Sequence, residues 1–215
     1  MTRIIAGVAR GRRLSVPAGA GTRPTSDRAR EGLFATVTAL RGTLAGARVL
    51  DLYAGSGAIG LEALSRGAAR AVFVESDPRA AQVIRANMRA LGFMVGSFRT
   101  NNCPEPSNHE RGRARPAEHP EGQVITGQVA RVLARGPGAG PPFDVVVADP
   151  PYASDDEEIA AMLVALTGGW LAPGAIVAVE RASRSARLAW PAGYRADRSR
   201  RYGEATFWYG LAAGT

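Results

Sequence analysis

From residue 47 onward, short apolar runs of strand length alternate with stretches whose apolar side chains recur at the helical period. That alternation is the mark of a parallel sheet whose strands are joined by crossover helices. Residues 47–53, 70–75, 123–126, 143–148 and 175–180 read as strands, and residues 58–66, 78–91, 129–135 and 155–166 as helices. A terminal pair of strands is expected near Leu188 and over residues 205–211. Local punctuation supports these boundaries. Gly67 stops one helix, Asp77 and Pro78 open the next as cap and first-turn proline, and Gly92 closes it.

Two segments break the rhythm. Ahead of the alternation, residues 3–6 and 12–16 read as two short strands around a glycine-containing turn, a basic hairpin. Pro24-Thr25-Ser26-Asp27 then supplies helix-start chemistry, and Leu33, Phe34, Val37 and Leu40 recur on one helical face. Residues 93–122 are polar, proline-bearing and aperiodic, and read as an inserted loop. The expected organisation is a hairpin extension over 1–22 and one α/β domain over 23–215, interrupted by that loop.

Composition narrows the class. A chain of 215 residues that is 46% hydrophobic can bury one substantial core. No apolar run is long enough to span a bilayer, and Arg3 opens a basic stretch where a signal peptide would be apolar, so a cytoplasmic location is expected. The single cysteine, Cys103, excludes an internal disulfide. Cys103, His109 and His119 match no standard zinc spacing, and no metal is expected. The net charge of +8 points to a polyanionic partner. Nine arginines face two acids in residues 1–50, and a second basic cluster, Arg181, Arg184, Arg187, Arg195, Arg198, Arg200 and Arg201, lies near the C-terminus.

Candidate chemistry sits at two strand ends. Asp51-Leu52-Tyr53-Ala54-Gly55-Ser56-Gly57-Ala58-Ile59-Gly60 joins the first strand to its helix, and small residues there let a nucleotide-like ligand approach the backbone. Gly55, Gly57 and Gly60 alone also fit a dinucleotide fingerprint, and Glu75 at the end of the second strand suits a ribose diol in either case. Asp51 favours S-adenosylmethionine, because its carboxylate would attract an ammonium and repel a pyrophosphate.

The apolar strand Val145-Val146-Val147-Ala148 runs into Asp149-Pro150-Pro151-Tyr152. An exocyclic amine on a purine is a poor nucleophile, since its lone pair is delocalised into the ring. Two acceptors, the Asp149 carboxylate and the Pro150 carbonyl, would each take one N–H bond and aim the lone pair at a methyl donor. Proline fixes φ and removes competing donors, and Tyr152 offers a flat face to an extruded base. The catalytic candidates are therefore Asp149, Pro150 and Tyr152.

With both motifs placed, the chain resembles the RsmD-type 16S rRNA guanine-N2 methyltransferases. The similarity runs through Arg3-Ile4-Ile5-Ala6-Gly7, Arg23-Pro24-Thr25-Ser26-Asp27-Arg28, Glu62-Ala63-Leu64-Ser65-Arg66-Gly67 and Arg201-Tyr202-Gly203-Glu204. The resemblance implies a class I methyltransferase fold, Rossmann-like, with a mostly parallel seven-stranded sheet, helices on both faces and a small N-terminal β-hairpin extension. It implies S-adenosylmethionine contacts at Asp51, Tyr53, Gly55, Ser56, Gly57, Glu75, Ser76, Asp77, Gln128 and Thr25. RNA contacts are implied at Arg3, Arg10, Arg12, Arg13, Arg23 and Arg28, with 16S rRNA in the small subunit or its assembly intermediate as partner of a monomer. The insertion over 93–122 departs from the family pattern. An adenine-N6 methyltransferase acting on DNA or RNA would use the same loop, a glutamine-N5 methyltransferase would leave the basic hairpin without purpose, and a non-catalytic RNA-binding module would have no need of Asp149, Tyr152, Asp51 and Glu75.

Overall fold

The computed structural model describes residues 2–17, 26–96, 120–138 and 140–213. Two short strands, β1 (Thr2–Arg3) and β2 (Arg13–Leu14), pair antiparallel, and α1 (Asp27–Arg41) follows. The alternating part comprises β3 (Arg48–Leu52), α2 (Ala58–Ser65), β4 (Arg70–Glu75), α3 (Pro78–Leu91), β5 (Met94–Val95), β6 (Glu121–Thr126), α4 (Val129–Ala134), β7 (Phe143–Ala148), α5 (Asp156–Leu166) and β8 (Leu171–Ala182). The antiparallel pair β9 (Tyr194–Tyr202) and β10 (Ala205–Ala212) ends the chain. The main sheet runs β5-β6-β4-β3-β7-β8-β10-β9. Seven strands form the expected mostly parallel sheet, and the two-residue β5 adds an eighth at its edge.

Helix ends follow their capping chemistry. Ser26 Oγ accepts from the Ala29 N–H at 3.1 Å, Asp77 Oδ1 from Arg79 N–H at 2.8 Å, and Asp155 Oδ1 from Glu158 N–H at 2.8 Å. Strand side chains alternate between two cores. Val49, Phe73, Val145 and Val147 pack with Leu33, Phe34, Leu61 and Ile84 on the α1–α3 face, whereas Leu50, Val72, Val146 and Val179 pack with Val132, Ile159 and Leu163 on the α4–α5 face.

Three expectations need correction. The terminal strand placed near Leu188 is instead β9, which starts at Tyr194; residues 183–193 cross the sheet without forming a strand. β9 is an edge strand whose exposed arginines erase the apolar alternation on which a strand is recognised. The loop assigned to 93–122 has structured ends: Phe93 is buried, and Met94 and Val95 pair with Glu121 and Gly122. Gly122 reads as loop from sequence, yet it lies in β6, paired with Ala71 and Val95, and it is glycine because a Cβ there would come within 2.1 Å of Met88 Sδ. Finally, β8 extends beyond 175–180 at both ends, its register against β7 shifting between Phe143 and Val145.

Candidate active site

The chain builds β3, β4 and β6 in one direction across the sheet and then returns to lay β7 and β8 on the other side of β3. A crevice opens at such a reversal, outside the carboxyl ends of the strands. Val49, Phe73 and Val147 all face α1–α3. Asp51 and Glu75 stand two residues further along β3 and β4, so alternation directs both carboxylates to that same side, and Asp149 follows the last residue of β7 near enough for its charge to act on Asp51.

Asp51 is only 2% exposed, and its Oδ2 accepts the Gly60 N–H at 2.9 Å. Burial, opposed by the Gly60 hydrogen bond and reinforced by the charges of Asp149 and Glu75, pushes the carboxyl up to about 8. An acid held in this way favours a neighbouring cation. The donor set therefore fits S-adenosylmethionine, whose ammonium and sulfonium would favour the ionised carboxyl, whereas a pyrophosphate would push it further toward the neutral form.

Glu75 clamps the glycine loop. Its Oε2 accepts the Gly55 N–H at 2.7 Å and keeps a lone pair able to take a hydroxyl, and its Oε1 accepts the Asp77 N–H at 2.8 Å and the Ser76 hydroxyl at 3.4 Å, a bond that a ligand hydroxyl could replace. The loop itself is left-handed at Tyr53 (φ 61), Gly55 (φ 55) and Gly57 (φ 77). Tyr53 is the one non-glycine residue with positive φ among the described residues, a conformation that costs on the order of 1 kcal/mol. Its ring packs on the α4–α5 side, where burial and then the charge of Glu158 raise the phenol pKa. Ser56 offers its carbonyl to Asn87 Nδ2 at 3.1 Å. Ser76 is exposed with its hydroxyl 3.4 Å from Glu75 Oε1, Asp77 is occupied as the α3 cap, and Gln128 is exposed at the start of α4 with no side-chain cap bond. Thr25 and Arg23 lie outside the described residues, as do Cys103, His109 and His119.

On the opposite wall, the Asp149 N–H donates to the Leu52 carbonyl at 3.4 Å, tying the turn to β3. Pro150 is buried, Pro151 is exposed, and Tyr152 is 66% exposed. The Ser154 N–H closes the turn on the Pro151 carbonyl at 2.9 Å. The Pro150-Pro151 pair, its first ring buried, carries a partly exposed acid on one side and an exposed tyrosine on the other from a stiff backbone.

The hairpin is bound to the helices that carry the glycine loop, through residues to which the sequence reading gave no such role. Glu62 is fully buried and accepts the N–H groups of Ile5 at 2.7 Å and Ala6 at 2.9 Å, with Arg66 Nε at 2.7 Å. Ser65 Oγ accepts the Ala9 N–H at 3.0 Å and donates to the Ala6 carbonyl at 2.6 Å. Gly7 passes so close that a Cβ would meet the Ser65 carbonyl oxygen at 1.8 Å. Buried Asn87 bridges Ser15, accepting its N–H at 2.9 Å, and the carbonyl of Ser56. Arg30 is wholly buried, and its Nη2 donates to the Arg3 carbonyl at 2.8 Å and to Asp27 at 2.6 Å. A lone acid inside the apolar run Ile59-Gly60-Leu61-Glu62-Ala63-Leu64 was the available signal, because a charge on a buried helix demands partners.

The arginines implied for RNA divide. Arg12 donates to the Ala90 carbonyl at the end of α3, a helix-terminus clasp. Arg10, Arg13 and Arg28 are exposed, and Arg3 is exposed beside Asp27 at 3.4 Å. Arg3 and Arg13 face each other across the hairpin, a like-charge pairing that an anion would relieve.

The family described as Conserved hypothetical protein 95 matches residues 2–210. The Escherichia coli protein named Ribosomal RNA small subunit methyltransferase D is 34% identical over 205 residues, which is 95% of this chain and 87% of the relative. The chain belongs to the RsmD-type family. A Haemophilus influenzae protein of the same name is 34% identical over 178 residues, covering 83% of this chain and 77% of its own length. The solved structure of yhhF from Escherichia coli matches with a TM-score of 0.74 at 30% identity, over 99% of this chain and 98% of that one. The RsmD-type sheet with its antiparallel end is thus a class I methyltransferase fold, and its two signature turns leave the paired strands β3 and β7 side by side, joined by the Asp149–Leu52 hydrogen bond.

Proposed function

We propose that the protein methylates the exocyclic N2 of a guanine in 16S rRNA, with S-adenosylmethionine as donor, on the small ribosomal subunit or its assembly intermediate, as a cytoplasmic monomer. The observation that carries this reading is the gathering of three acids at the carboxyl ends of β3, β4 and β7: Asp51 and Glu75 bind the glycine loop, and the charges of Glu75 and Asp149 both act on Asp51. The relatives' name, ribosomal RNA small subunit methyltransferase D, supports the substrate class.

The donor supplies a methyl group on a positively charged sulfur. The protein's part is orientation. Asp149 carboxylate and the Pro150 carbonyl each accept one N–H of the guanine amine, which turns the nitrogen lone pair toward the incoming carbon. Tyr152 stacks on the extruded base, a contact worth about 1–3 kcal/mol. A C–N bond forms as the carbon–sulfur bond breaks, and the methylated amine, now cationic and acidic, releases a proton to Asp149 or water. Glu75 holds the donor's ribose diol and Asp51 its ammonium; Tyr53, Gly55, Ser56, Gly57, Ser76, Asp77 and Gln128 border the same pocket, and the family resemblance adds Thr25 to the donor's contacts. Arg3, Arg10, Arg13, Arg23 and Arg28 engage RNA phosphates, Arg12 serving mainly to fasten the hairpin.

The test is transfer of labelled methyl from S-adenosylmethionine to small subunits lacking the modification, followed by nucleoside analysis. Label in N2-methylguanosine is expected. Label in N6-methyladenosine would transfer the reading to the adenine enzymes, and unlabelled RNA would end it.

A further inference from the structure

Residues 183–193 carry the chain from the catalytic end of β8 to the opposite end of the sheet, where β9 begins, without a helix. A sheet face crossed by extended chain is less completely covered than one crossed by a helix. Over β9 and β10 on the α4–α5 side, Leu188 and Trp190 are the apolar cover that this crossing provides. The register widens the gap: Ser199 stands opposite Trp208 and Ala196 opposite Gly210, so small side chains on β9 leave the Trp208 ring open. Trp190 lies directly on Gly210, where a Cβ would sit 2.7 Å from its ring, and its centroid is 5.4 Å from that of Tyr194. A groove of about 680 Å³ results, bounded by these three aromatics, with Arg187 exposed at the rim and the paired Asp197 and Arg198 alongside.

We propose that this groove is a second RNA site, taking one unpaired nucleotide of the substrate with its base against the indole rings and its phosphate at Arg187. The inference rests on the RNA reading above. Its volume falls in the range of small-ligand sites, and aromatic faces bordered by arginine are the chemistry that single-stranded nucleic acid selects. The Asp197 carboxylate suits a base amino group and not a bare anion. Charge supports the same occupant: the chain carries +8, and Arg200 and Arg201 are exposed at the end of β9, with Arg200 level with Glu180. β9 is the edge strand, three strands from β7 and about 14 Å away at ordinary strand spacing, and its two arginines stand at the same end of the sheet as Asp149, so RNA leading from that turn to the groove on the α4–α5 face rounds the edge beside them.

The test titrates the full chain with a single-stranded RNA of mixed sequence while following tryptophan fluorescence. Trp190 and Trp208 should be quenched, whereas Trp170, buried against Phe143, should not. Arg187→Glu, at an exposed rim position, is expected to weaken binding about tenfold and to reduce the salt slope by about one. Trp208→Phe should remove part of the quench, and unchanged circular dichroism confirms its fold. Absence of quenching in the wild type, or variants that match the wild type, overturns the groove as a nucleotide site. Concentration-dependent dimerisation abolished by Arg187→Glu overturns it too, in favour of a second copy of the chain. Methyl transfer to small subunits, run in parallel, separates the two readings: a wild type that methylates RNA with an inert groove loses only this inference.

Discussion

Replacing Asp51 by Asn should make the protein more stable and its cofactor site weaker, and the stability gain should depend on pH. Asn keeps the shape and can still accept the Gly60 N–H, so the change removes little but the ionisable proton. In the folded chain the carboxyl is pushed from 3.8 up to about 8, which means the native state holds that proton more tightly than the unfolded state. A raised native value stabilises the fold fully below the unfolded value, and the contribution is lost as pH climbs through the folded one. Wild-type stability should therefore decline between about pH 4 and about pH 8, at up to about 1.4 kcal/mol per pH unit. Asp51→Asn has no such slope. The gap between the two should be small near pH 4 and should grow to at most about 6 kcal/mol above pH 8. Urea unfolding at several pH values measures it directly. The same ionisation gives wild-type affinity for S-adenosylmethionine a rise with pH toward about 8, as the carboxylate that attracts the ammonium forms. A stability gap that is the same at pH 5 and pH 8.5, approximate settings on either side of most of the transition, would refute the burial argument.

Asp149→Ala should lower turnover by about 100- to 1000-fold while leaving S-adenosylmethionine affinity within a few fold, measured by single-turnover methyl transfer and calorimetry; undiminished turnover would place the chemistry elsewhere. Glu62→Ala strips the acceptor from two hairpin amides and from Arg66, and should cost about 3 kcal/mol, with hydrogen exchange at Ile5 and Ala6 accelerating selectively. Uniformly unchanged exchange there would show that the hairpin is held by its apolar residues alone. Arg3→Ala with Arg13→Ala should weaken RNA binding and flatten its salt dependence by about two, one for each phosphate released; an unaltered slope would mean these side chains touch no phosphate.

Much of this was legible in the chain because it rests on local periodicity and local chemistry. β4, α3 and β7 have the boundaries that apolar runs and capping residues imply, since a strand buried on both faces must be apolar and a helix must satisfy its ends. The two signature turns were equally local, each a contiguous run after an apolar strand. Contacts between segments distant in the chain were not legible. Glu62 and Ser65 gripping a hairpin 56 or 57 residues earlier, and Asn87 joining Ser15 to Ser56, are decided by which helix faces which turn after folding. Gly122 was misread because its glycine answers to Met88 on another element. β9 was misplaced because an edge strand needs hydrogen-bond partners more than an apolar pattern, and pairing with β10 supplies them. Sequence determined which residue types stand at the strand ends. Only the tertiary structure decided that Glu75 and Asp149 come near enough to act on Asp51, since register and burial, which set the ionisation of Asp51, are properties of the assembled sheet.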